Sequence, residues 1–145
     1  MRLVIQRVSS ARVSVGKKVL GAIDKGLFVL VGVSEVDKKE DAGKLAEKLA
    51  NLRVMADERA KMNLSVKVVG ASVLAVSQFT LYADTTAGNR PSFIKAAKPN
   101  LAEKIYERFI DELKDQGVKV ETGQFGEYME IDTVLDGPVT IIMDS

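Results

Sequence analysis

The chain has 145 residues, a length typical of one domain, and its 21 Lys and Arg stand against 20 Asp and Glu for a formal net charge of +1. It contains no His, no Cys and no Trp, which excludes Ser-His-Asp and Cys-His triads, thiolate redox chemistry and His-bearing zinc sites. The near-neutral balance lacks the basic footprint of proteins that grip long stretches of nucleic acid.

At this length about two-thirds of the unfolded surface can be buried, so a core needs neither metal nor disulfide. No run approaches the 18 or more apolar residues of a membrane span, and the opening MRLVIQRVSSARVSV alternates where a signal peptide would be continuously apolar. A soluble, cytoplasmic protein with no membrane partner is expected.

In chain order, Leu3 and Ile5 between Arg2 and Gln6 begin a strand, and Ala11-Val13-Val15, Gly16-Lys17-Lys18 and Val19-Leu20 predict a hairpin. The continuous run Leu27 to Val33 predicts a mid-sheet strand buried on both faces. From Asp37, a candidate cap, Ala42, Leu45, Ala46, Leu49 and Leu52 follow at helical spacing. Val73 to Leu81 predicts a second buried strand with polar residues at its end, followed by a loop containing Gly88 and Pro91. Leu101, Ile105, Phe109 and Leu113 predict a helix from Pro99 or Asn100 to Gly117. Strands are expected at Val118–Glu121, Tyr128–Val134 and Val139–Met143, the last two split by Asp136-Gly137-Pro138. The order predicts an α+β fold, one domain over residues 1–145, with two main helices on one face of a mixed or antiparallel sheet.

Three places could carry chemistry. Ser77-Gln78-Phe79-Thr80 sets polar side chains where an apolar strand leaves the core. These serve either to bond nearby backbone or to build a site, with Thr80 as a nucleophile beside a Lys or carboxylate base, or with backbone N–H groups holding an oxyanion. Asp136-Gly137-Pro138 reads as a hairpin turn or as a segment presenting two carbonyls. Asp57 and Glu58, ahead of Lys61-Met62-Asn63, read as a solvated loop, with acid-base work or a hard-metal site as the alternative.

The chain resembles the D-aminoacyl-tRNA deacylases from end to end. The resemblance is carried by Met1 to Val8, Lys61-Met62-Asn63-Leu64-Ser65, Ser77 to Asp84, Gly88-Asn89-Arg90-Pro91-Ser92-Phe93, Thr122-Gly123-Gln124-Phe125-Gly126 and Gly137-Pro138-Val139-Thr140, six short motifs in the family's order. One position departs: where the family usually has Asn, two residues before the Gly, this chain has Leu135.

The resemblance implies a barrel-like sheet and hydrolysis of the ester between a D-amino acid, or glycine, and the terminal ribose of tRNA. It implies a homodimer with sites at the subunit boundary, gripping only the acceptor end of the tRNA; from the composition, no metal or cofactor is expected. By position, Ser77, Gln78, Phe79 and Thr80 would line the reacting ester. Gly137 and Pro138, joined by a cis bond, would project into the partner's pocket and screen chirality against L-aminoacyl groups, with Arg7 holding them. Phe125 and Met129 would lie near the terminal adenosine or the pocket wall. Without His, water attack with backbone donors around Phe79 and Thr80 is favoured over Thr80 as nucleophile. The competing classes are a non-catalytic module for small D-amino acids or nucleotides, and a structural dimer clasped by its Gly-Pro loop.

Overall fold

A computed structural model describes residues 1–145. The first strand and the first arm of the expected hairpin are one element, β1 (Arg2–Val15), with Leu3, Ile5, Val8, Ala11 and Val13 all buried; the alternation slips on either side of Val8 without ending the strand. The turn at Gly16 (φ +57°) leads into β2 (Lys18–Ile23), and β3 (Gly26–Gly32) follows. Helix α1 (Lys39–Asn51), the short pair β4 (Met55–Ala56) and β5 (Met62–Leu64), strand β6 (Ser72–Ser77) and a 3₁₀ turn at Phe79–Tyr82 come next. Helix α2 (Pro99–Asp115), β7 (Lys119–Thr122) and the long β8 (Glu130–Asp144) complete the chain.

The main sheet runs β2-β1-β3-β6-β7, with β8 on the other edge of β1. Pairings among β1, β2, β3 and β8 are antiparallel, while β3-β6 and β6-β7 are parallel, so the sheet is mixed. It curls until β2 lies against β6 and β7, giving a nearly closed barrel. Gly21 permits this approach, since a Cβ there would stand 2.8 Å from the Thr122 carbonyl oxygen and 3.2 Å from Leu74 Cδ1.

Strand alternation sorts the core into two parts. Leu27, Val29 and Val31 of β3, with Val73 and Ala75 of β6, face the helices and meet Leu45 and Leu49 of α1 and Ile105, Phe109 and Leu113 of α2. Phe28, Leu74 and Val76 point the other way, into a smaller cluster with Val8, Val13 and Ile23 inside the curl. Each such side chain stabilises by about 1.5–3 kcal/mol when fully buried. Both helices thus sit on one face, as expected, and β3 is mid-sheet and buried on both sides.

Three expectations are corrected. Asp37 does not cap α1: the N-cap is Lys38, whose N–H donates to Asp41 Oδ2 at 2.9 Å. The turn Ser34–Asp37 points the Asp37 carboxylate backwards, where it pairs with the Met1 amino group and accepts the Ser34 N–H at 2.6 Å. Strand β6 stops at Ser77 instead of reaching Leu81, because its partner β3 ends at Gly32 and leaves no ladder to join; the backbone then satisfies itself by turning. Finally, Asp136-Gly137-Pro138 is no hairpin. Strand β8 keeps one direction along β1 from Ser14↔Glu130 to Arg2↔Asp144.

Gly26 makes the closest backbone approach in the sheet, with a Cβ there falling 2.0 Å from the Ser72 carbonyl oxygen. Neither backbone can yield without breaking the Gly26↔Ser72 end of the parallel ladder. Gly26→Ala is therefore expected to cost about 3 kcal/mol or more, the upper end of overpacking penalties, read as a lower urea midpoint in equilibrium unfolding.

Candidate functional site

At the end of β6, Gln78 donates its N–H to the Val31 carbonyl at 2.8 Å, extending the β3-β6 pairing by one bond. The 3₁₀ turn then seats on Gly32, where an added Cβ would press within 3.1 Å of Leu81 Cβ and 3.2 Å of the Tyr82 ring. Arg2 ties this corner together. Its guanidinium binds the Asp144 carboxylate at 2.8 and 3.1 Å, lies 5.7 Å from the Tyr82 ring centroid, and donates to the Leu81 carbonyl at 3.5 Å. Burial above all pushes the Tyr82 phenol up.

A cavity of about 610 Å³ opens beside this turn, walled by Ser77, Gln78 and Phe79 on one side, Phe125 and Met129 on another, and the start of α2 beneath. Glu127 is the one charged residue in its lining, so the cavity suits neutral, planar or apolar groups better than a phosphate. Phe125 is backed by Tyr106 of α2, with ring centroids 6.1 Å apart, and Tyr106 donates its hydroxyl to the Ala75 carbonyl at 2.9 Å. Burial raises the Tyr106 pKa far above its ordinary value, leaving the phenol a fixed donor. Gly123 leaves room for Met129, whose sulfur would lie 2.4 Å from a Cβ at that position.

Thr80 follows the lining residues but is not one of them; it is exposed, and its hydroxyl accepts a hydrogen bond from Gln78 Nε2 at 2.6 Å. That bond comes from an amide and supplies no base. As the opening residues of the turn, Phe79 and Thr80 have N–H groups with no acceptor inside it.

The other sequence-predicted residues form a second group outside this cavity. The β1-β8 ladder pairs Val8 with Leu135 and Gln6 with Thr140, so Asp136 to Val139 bulge out opposite the single Arg7. Arg7 holds the bulge: Nε binds the Asp136 carbonyl at 3.3 Å and its carboxylate at 3.0 Å, while Nη1 reaches the Val54 carbonyl at 2.9 Å. The Gly137-Pro138 bond is cis, and both residues are exposed. Leu135, at the position where Asn was expected, pairs with Val8 and is 46% exposed.

Asp57 is occupied by its own loop. Its carboxylate accepts the N–H groups of Lys61 at 3.0 Å and Arg59 at 2.9 Å and the Asn63 amide at 3.2 Å, and these donors, Lys61 first, hold its pKa below the ordinary carboxylate value. Sequence reasoning gave no role to Phe93, which lines the cavity against Phe79. The available signal was that Phe93 is the one aromatic residue between Ala83 and Lys98.

Comparison with known proteins identifies the class. The family model for D-Tyr-tRNA(Tyr) deacylase matches residues 4–144. A D-aminoacyl-tRNA deacylase of Bacillus licheniformis is 59% identical over 145 residues, covering 100% of this chain and 99% of its own. One from Thermotoga petrophila is 53% identical over 145 residues, covering 100% and 97%. Among solved structures, c-Myc DNA Unwinding Element Binding Protein superposes with a TM-score of 0.93 at 38% identity over 100% of this chain and 99% of the other. A probable eukaryotic D-amino acid tRNA deacylase superposes at 0.87 with 16% identity over 99% and 98%, a likeness of fold alone. The chain belongs to the D-Tyr-tRNA(Tyr) deacylase family, and it is a hydrolase.

Gly137 adopts φ +137°, and a Cβ there would lie 2.6 Å from the Val139 nitrogen. Gly137→Ala is expected to rearrange the bulge at a cost of about 1–3 kcal/mol, seen as a lower urea midpoint with an unchanged slope. Wild-type stability in this variant would mean that the bulge relaxes freely.

Proposed function

We propose that this chain hydrolyses the ester joining a D-amino acid, or glycine, to the terminal ribose of tRNA, releasing free amino acid and tRNA. The observation that carries this reading is the end-to-end match to D-aminoacyl-tRNA deacylases. Residues 1–145 act as one domain in a cytoplasmic homodimer, and no helix is long and apolar enough to cross a membrane.

The site's chemistry supports a mechanism that needs no titrating side chain. With no base beside Thr80, water attacks the ester carbonyl carbon, and the N–H groups of Phe79 and Thr80 bind the oxyanion that forms. Such donors contribute about 2.7–4 kcal/mol each in enzymes where one has been removed. Collapse of the intermediate breaks the bond to the ribose oxygen, which leaves with the proton from the attacking water. The neighbouring ribose hydroxyl orients that water. Ser77 and Gln78 line the ester, and Phe125 and Met129 flank the terminal adenosine.

Arg7, Gly137 and Pro138 stand outside the chain's own cavity, which favours their completing the cavity of a second copy in a twofold dimer. The outer edge of β8 has no partner strand within the chain and carries exposed Ile131, Val134, Leu135 and Ile142, an edge suited to such a contact. There the Gly137 and Pro138 carbonyls exclude an L side chain and leave a D side chain free. Only the acceptor end of the tRNA is held, in keeping with a net charge of +1.

Deacylation of matched D- and L-aminoacyl-tRNA pairs by the purified protein is the direct measurement: the D-ester is expected to be hydrolysed and the L-ester spared. Equal hydrolysis of both would remove the chiral filter, and binding without turnover would make the protein a recognition module. Thr80→Ala should keep activity within about tenfold of wild type, since backbone donors carry the stabilisation. A loss of about a thousandfold or more with fold and tRNA binding intact, and an acyl-enzyme trapped on the wild type, would establish Thr80 as the nucleophile.

A further inference from the structure

Between the 3₁₀ turn and α2 the chain runs from Ala83 to Lys98, a loop that the mechanism above does not use. It nevertheless supplies a wall of the cavity, because Phe93 stands edge-on to Phe79 with ring centroids 5.0 Å apart and planes at 70°. The rings are 38% and 54% exposed, so core packing does not fix them. Edge-to-face pairs of this kind add little beyond burial. Something else must hold the loop.

Asp84 is the residue on which the loop converges. Its backbone exchanges two hydrogen bonds with Ser92, both 2.8 Å. Its Oδ1 accepts the Thr86 N–H at 3.0 Å and the Thr86 hydroxyl at 2.6 Å, and its Oδ2 accepts the Lys95 ammonium at 2.8 Å. The residues on both sides of Phe93 are thereby tied to one carboxylate-bearing position. The far end of the loop is moored to the end of the central strand, with Glu35 N–H donating to the Lys95 carbonyl at 3.1 Å and Ala97 N–H to the Val33 carbonyl at 3.0 Å. Lys95 first, then Thr86, keeps the Asp84 carboxyl far below the ordinary range.

An exposed ion pair does little for global stability, and Lys95 is 66% exposed. Placement of a ring is a different matter, because a displacement of about 1 Å at a binding wall can cost far more in function than in folding. We propose that Asp84 is a positioning residue: its carboxylate keeps Phe93 against Phe79 and so sets the wall of the cavity that receives the aminoacyl end of the substrate. This rests on the deacylase reading above. Asp84 acts through Phe93 and bears on substrate binding more than on the transition state.

The experiment is steady-state deacylation of D-tyrosyl-tRNA by wild type, Asp84→Ala, Phe93→Leu and the double variant. Asp84→Ala is expected to raise KM about tenfold with kcat within about twofold, Asp84→Glu to recover part of that loss, and the double variant to match Phe93→Leu alone. An unchanged KM, a loss confined to kcat, or additive effects in the double variant would overturn the proposal. If Asp84→Ala does not fold, Lys95→Met removes only the ionic arm and should raise KM in the same direction; an unchanged KM there also counts against the proposal. Fluorine NMR of ring-labelled Phe93 reads the position without turnover, and Asp84→Ala should shift or broaden its resonance. An unaltered resonance overturns the positioning role, whereas wild type inert on D-tyrosyl-tRNA with a shifted resonance overturns the deacylase reading alone.

Discussion

The arrangement depends on β1 being long enough to use both edges at once. Its first half pairs with β3 and its second half with β2, while β8 runs beside nearly its whole length on the opposite edge. The pairing with β3 places the parallel strand β6, and hence Ser77 and the 3₁₀ turn, at a fixed height on the sheet. The pairing with β8 places the Gly-Pro bulge opposite Arg7. A strand broken into two arms would have left these two groups of residues free to move relative to each other.

Close backbone approach is the second constraint, and glycine makes it possible at the points that matter. Gly26 lets β6 begin its ladder, Gly21 lets β2 fold across to β7, and Gly32 gives the 3₁₀ turn a flat seat. The result is a cavity bordered by the residues at the end of β6, with mostly apolar walls. Its lining is shape and apolar surface with Glu127 as the one charged group, in a chain that has no His and no Cys.

The bulge at Asp136 to Val139 shows how an interrupted ladder is kept orderly. Four residues face one across the ladder, and the chain would lose definition there if its carbonyls found only water. Arg7, with a side chain 12% exposed, fills the gap by binding both the backbone and the carboxylate of Asp136 while anchoring itself on Val54. Its planar fork suits that task better than a Lys ammonium would.

Much of this was legible from residue order. Period-two alternation at the two ends of β1, the unbroken apolar run of β3 and the three-and-four spacing of both helices mark strand and helix there, because each reports burial that is local to its own element. The motif at Ser77 to Thr80 was visible too, and Phe79 with Phe125 and Met129 do meet in one cavity. Three things depended on distant partners and so on tertiary structure. Asp37 turns from α1 to the Met1 amino group, β6 ends where β3 ends, and Asp136-Gly137-Pro138 continues a strand because β1 is there to pair on either side of it. The sequence by itself determined the buried strand β3, both helices and the absence of imidazole and thiol chemistry. Only the tertiary structure decided that Phe93 meets Phe79 and that Arg7 bridges Asp136 and the Val54 carbonyl, since contacts between residues far apart in the chain leave no periodic trace in it.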